Sequence, residues 1–163
     1  MKFKDTKYGD LSGQTYKGDI NVQGMNLTSL EGAPKRVSGF FRCSINPKLI
    51  TLEGAPKYVG SFFSCSNNLK LVSLKGAPES VGGTFYCSKN PNLISLEGAP
   101  KTVGGDFRCY NNPKLTQSEV DKLVKCDIKG KISLKAPTKE DYKLYKKLGD
   151  RKYWKLKALK DSL

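Results

Sequence analysis

The segments Leu30-Glu31-Gly32-Ala33-Pro34, Leu52-Glu53-Gly54-Ala55-Pro56, Leu74-Lys75-Gly76-Ala77-Pro78 and Leu96-Glu97-Gly98-Ala99-Pro100 recur at a strict interval of 22 residues. Cys43, Cys65, Cys87 and Cys109 keep the same interval. A period of this length belongs to a chain wound into coils, in which each coil buries its apolar residues only against its neighbours. Such a stack needs no thick core, which suits an apolar fraction of 37% over 163 residues. One solenoid domain is expected, and solenoids work through the long surface that successive coils build.

Within a coil, Phe107 and Cys109 are two apart and therefore share one side of a strand, while Asp106, Arg108 and Tyr110 share the other. The same inner pair returns as Phe41/Cys43, Phe63/Cys65 and Phe85/Cys87. Three residues after each cysteine stands Asn46, Asn68, Asn90 or Asn112, placed to bond backbone groups left open where the strand turns away. Leu49, Leu71, Leu93 and Leu115 follow, then Leu52, Leu74 and Leu96, before Gly-Ala-Pro turns the chain. Val37, Val59, Val81 and Val103 lead into the next strand. The expected fold class is a repeat solenoid of short parallel strands, one per 22-residue coil, with irregular returns and a helical C-terminal extension.

The spacing Phe-x-Cys-x-x-Asn-x-x-Leu resembles the leucine-rich repeat, with Phe and Cys in place of two strand leucines and one residue added before the last leucine. The longer run Ser-Leu-Glu-Gly-Ala-Pro-Lys-x-Val-Gly-Gly-x-Phe-x-Cys-x-x-Asn resembles the leucine-rich-repeat-like proteins of large tailed bacteriophages. The closing stretch, Thr116 to Leu123 and then Cys126 to Ile132, is similar to the way those arrays end. This resemblance spans about residues 18–134. It implies the fold and a phage origin, and it carries over no catalytic residue.

Four segments follow from the pattern: 1–26 as an N-terminal cap and atypical first coil, 27–115 as the solenoid, 116–137 as a capping helix and strand, and 138–163 as a basic helical extension. In the first coil, Ile20 and Val22 stand for the inner pair, but the asparagine position falls on Met25. Thr116 and Glu119 have capping-box spacing and should open a short helix. Residues 126–134 read as a strand covering the last open edge. Thr138 with Asp141, and then Asp150, mark two further helix starts.

The net charge is +14, and residues 116–163 carry +7 of it, a balance that favours anionic partners. The chain has no histidine, which removes the commonest general base and the usual partner of a serine or cysteine nucleophile. No phosphate-binding glycine loop ending in Lys-Ser/Thr is present. Cysteines 22 apart suit a column of small inward hydrophobes better than zinc ligation, which wants close pairs. No enzyme activity and no metal or other cofactor is expected. The first residues show no secretory pattern, and no run approaches the ~18 apolar residues of a membrane helix. The expected location is the host cytoplasm or the virion.

Function should sit on strand residues alternating with the Phe/Cys pair. Phe40, Arg42, Phe62, Ser64, Tyr86, Arg108 and Tyr110 form a ladder of the aromatic and arginine types that dominate protein interfaces. A host or virion protein is the expected partner, with no membrane involved. The alternative is nucleic-acid binding by Arg151, Lys152, Trp154, Lys155 and Lys157 in the basic tail. Two lysine rows, Lys48/Lys70/Lys114 and Lys35/Lys57/Lys101, are interrupted at Asn92 and Glu79, unlike a dedicated phosphate track.

Overall fold

The computed structural model describes residues 1–135; the extension 138–163, with its five candidate residues, lies outside them, as do residues 136 and 137. The solenoid is present, with parallel strands stacked coil upon coil. Each coil contributes two strands, where the pattern gave one. The first sheet stacks β1 (Thr15–Tyr16), β3 (Arg36–Val37), β5 (Tyr58–Val59), β7 (Ser80–Val81), β9 (Thr102–Val103) and β11 (Asp127–Ile128). The second stacks β2 (Ile20–Asn21), β4 (Phe41–Arg42), β6 (Phe63–Ser64), β8 (Phe85–Tyr86), β10 (Phe107–Arg108) and β12 (Ile132–Ser133). The valines do not merely lead into the Phe strand. They form a sheet of their own, separated from it by a sharp corner.

That corner explains one glycine row. A Cβ on Gly82 would run into the carbonyl oxygen of Gly60, and one on Gly104 into that of Gly82. The coils can stack this closely only if the corner has no side chain. A second corner follows the Phe strand, where Ile45, Asn67, Lys89 and Asn111 take φ of 57 to 59°. Each immediately precedes a ladder asparagine.

The interior is built of columns. Phe41, Phe63, Phe85 and Phe107 stack with ring centroids 5.8, 5.4 and 5.0 Å apart. Beside them run the four cysteines, the two leucine rows and the valines, buried from coil to coil except for the half-buried Leu115 at the end of its row. At the N-terminal end Phe3, fully buried in a single 3-10 turn (Phe3–Asp5), continues the column by stacking on Phe41 at 6.1 Å. Lys2 and Lys4 hold this turn to the first coil through Glu31, at 2.7 and 2.8 Å.

The asparagine column is a hydrogen-bond ladder. Asn46 N–H donates to Asn68 Oδ1, Asn68 N–H to Asn90 Oδ1 and Asn90 N–H to Asn112 Oδ1, at 2.7 to 2.8 Å. The first coil has no asparagine here, and its Leu27 N–H donates to Asn46 Oδ1 instead. Each Nδ2 donates to the carbonyl of the cysteine three residues before it, at 2.7 to 2.9 Å. One amide side chain thus closes the corner of its own coil and fastens it to the next.

At the C-terminal end Thr116 caps α1 (Gln117–Asp121) by accepting from Glu119 N–H. The capping box is only half formed. The Glu119 carboxylate turns away from Thr116 and accepts from Leu96 N–H at 2.9 Å and Ser95 Oγ at 3.0 Å. There the carboxylate satisfies a partly buried amide of the preceding coil. Together with the Lys122 ammonium, these contacts hold its pKa below the usual carboxylate range. Glu119→Ala is expected to cost about 1–2 kcal/mol by orphaning the Leu96 amide. Its contribution should be present above about pH 4.3 and fade as acid protonates the carboxylate, which urea unfolding at pH 7 and at low pH will measure. Residues 126–134 supply two strands, β11 and β12, one closing each sheet.

Candidate functional site

The outer side of the second sheet carries the expected ladder. Phe40 and Phe62 stack at 4.6 Å with ring planes 8° apart. Tyr86 meets Phe62 edge-on at 5.9 Å and 89°. The Phe40–Phe62 spacing follows from the coil repeat, which sets equivalent residues one strand separation apart, about 4.8 Å. Tyr86 stands two places beyond the equivalent position and reaches back to Phe62 with its edge. Phe40 is anchored from below, because its N–H donates to Asp19 Oδ1 at 2.9 Å. All three rings are half-buried, each shading the next.

Two arginines lie against this stack. The Arg42 guanidinium sits 5.2 Å from the Phe62 ring and 5.7 Å from Phe40. Arg108 lies 5.5 Å from the Tyr86 ring, within cation–π reach. Asp106 grips Arg108 at 3.0 Å, so this arginine is both oriented and partly neutralised. Arg42 has no carboxylate partner among the described residues. Its charge remains available at one edge of an apolar stack, where water is already reduced.

Ser64 does not belong to this surface. It is 8% exposed, and its hydroxyl bonds that of Ser44 at 2.7 Å. The register places it between Arg42 and Tyr86, so longer side chains on both sides shade a short one. Ser44 and Ser88 are buried as well. Tyr110 is half-buried on the same side, but among the described residues no ring contact joins it to Phe40, Phe62 or Tyr86. The ladder is therefore Phe40, Phe62 and Tyr86 with Arg42 and Arg108. Asp19 and Asp106 support it, and neither was marked by its residue type. Their shared position in the coil was the available signal.

The lysine rows are solvated, and in one of them two lysines share a carboxylate. Glu79 lies between Lys57 and Lys101, at 3.8 and 3.4 Å. Asn92 accepts from Lys114 at 2.7 Å. Glu79 thus bridges the lysines on either side of it, whereas Asn92 meets only Lys114 and the Leu69 carbonyl. On the first sheet, Arg36 covers the Tyr58 ring at 3.8 Å, a pairing the repeat alone does not suggest.

The cysteine column offers no nucleophile. Cys43, Cys65 and Cys87 are fully buried, and loss of solvation pushes their thiols well up from the ordinary range. Cys43 and Cys65 lie within weak hydrogen-bond reach of carbonyls in the next coil, at 3.4 and 3.5 Å. Reactivity belongs to the thiolate, so these groups act as packing. No helix among the described residues is long and apolar enough to cross a membrane. Comparison with protein-family models, curated proteins and solved structures finds no match for the chain.

Proposed function

We propose that this chain is a non-enzymatic protein-interaction module, phage-encoded, that binds a host or virion protein through the Phe40–Phe62–Tyr86 ladder. The observation that carries the reading is the continuous three-ring cluster, Phe40 stacked on Phe62 and Tyr86 edge-on, with Arg42 against it and without a carboxylate partner among the described residues. Pre-stacked rings lose little conformational freedom on binding, and an arginine at their edge adds directional contacts to a carboxylate or carbonyl. Aromatics and arginine are the residue types that concentrate binding energy at interfaces. The phage origin rests on the sequence resemblance.

Affinity capture from infected cells, with nuclease treatment, tests the proposal. Phe62→Ala with Tyr86→Ala should remove the captured protein, each substitution weakening binding roughly thirtyfold or more if it is a hot spot. Thermal unfolding of the variant should show the solenoid intact. An unchanged captured set sinks the reading. The charge concentrated after residue 115 supports a second reading, nucleic-acid binding by residues 138–163. Capture that is abolished by nuclease, falls steeply with salt and is lost on deleting 138–163 would favour it.

A further inference from the structure

A second surface lies on the return segments, away from the strands. Ile50, Val72 and Ile94 occupy the same place in successive coils and are 51, 39 and 55% exposed. Leu69, 52% exposed, widens the stripe where the equivalent position in other coils is proline. Polar residues would serve the fold equally well there, since the buried leucines on either side already fill the interior. A repeated aliphatic row at exposed positions marks an interaction surface more than a packing need.

The charge around the stripe is distinctive. Exposed Lys48 and Lys70 flank one side of it and exposed Lys75 the other. None of them has an ion-pair partner among the described residues, whereas Lys57 and Lys101 share Glu79. Glu53 and Glu97 also lie along the Lys75 side, whereas the opposite edge, Lys48, Lys70 and then Asn92, carries no carboxylate. A net charge of +14 repels a second copy of the chain and attracts an acidic ligand.

We propose that Ile50, Val72 and Ile94 form the docking stripe for an acidic amphipathic helix lying along the stack axis. The dimensions agree. Three coils span about 9.6 Å at ~4.8 Å per coil, and positions i to i+7 of an α-helix span about 10.5 Å. Apolar residues at i, i+3/i+4 and i+7 then meet one coil each. Carboxylates on the flank of that helix meet Lys48 and Lys70.

The test uses the full chain and a fluorescein-labelled synthetic helix with leucines at i, i+3, i+4 and i+7 and glutamates on its flanks. A control peptide carries lysines in place of the glutamates. Anisotropy should show saturable binding of the glutamate peptide alone, weakening as salt rises. Ile50→Ser/Val72→Ser/Ile94→Ser should reduce its affinity at least tenfold without changing thermal unfolding. Phe62→Ala/Tyr86→Ala should leave it unchanged, which separates this face from the ladder. Absent binding, equal binding of both peptides or an unaffected triple variant overturns the proposal. So does finding that the stripe instead drives binding to phosphatidylglycerol vesicles or self-association seen by sedimentation.

Discussion

Asn68→Ala is expected to destabilise the protein by about 3–6 kcal/mol, a large share of the ~5–15 kcal/mol available to a domain. The side chain is fully buried and serves three backbone groups: Asn46 N–H at 2.7 Å, Cys65 C=O at 2.9 Å and Cys43 C=O at 3.2 Å. Alanine leaves Asn46 N–H and Cys65 C=O without partners where water cannot reach them, and Cys43 C=O keeps only Asn46 Nδ2. It also loosens the corner held by Asn67 at φ 59°. Asn68→Leu separates this account from simple loss of volume, because leucine refills the space without restoring any hydrogen bond. Urea unfolding should find both variants strongly destabilised. A leucine variant within about 1 kcal/mol of the parent would show that the column works as packing alone.

Alkaline unfolding follows from the thiol column. Burial raises the thiol pKa of Cys43, Cys65 and Cys87 in the folded chain, while the unfolded chain ionises them near the ordinary value of about 8.5. Above that pH the folded state holds more protons than the unfolded state, so stability falls as pH rises. Stabilisation is complete below about pH 8.5, and each thiol then removes about 1.4 kcal/mol per pH unit. By about pH 9.5 three thiols together remove roughly 4 kcal/mol, before lysine and tyrosine titrate near pH 10. Urea stability measured between pH 7.5 and 9.5 should show this slope. Replacing the three cysteines by alanine should flatten it even if it lowers stability uniformly. A parent protein whose stability is level across that range would contradict the burial of these thiols.

Much of the fold was legible because every coil solves one packing problem with the same residues. Phe41, Phe63, Phe85 and Phe107 point inward in each coil, and the asparagine at a fixed offset reads directly as a corner bond. The valine sheet was not legible, since strands of two residues such as Tyr58–Val59 are too short to show an alternation. The left-handed corner was hidden as well. Ile45 and Lys89 occupy it at φ 57 and 59°, and neither residue type announces such a conformation. Glu119 looked like half of a capping box, yet an unsatisfied amide one coil away competes better for its carboxylate.

The ladder divides in the same way. Alternation along the strand was enough to place Phe40, Phe62 and Tyr86 on one face, and the residue types marked it as a surface for binding. Whether a member of that face meets solvent depends on the lengths of its neighbours in adjacent coils, which removed Ser64. Whether an arginine of that face is paired depends on the residue two places before it, which is Asp106 for Arg108 but Phe40 for Arg42, left without a carboxylate partner among the described residues. The period and the identity of the inward columns are properties of the sequence, because they repeat with the chain. Exposure, and pairings such as Lys57 and Lys101 with Glu79, were decided only by tertiary structure, because they arise between coils, from side chains about 22 residues apart that strand stacking brings within a few ångströms.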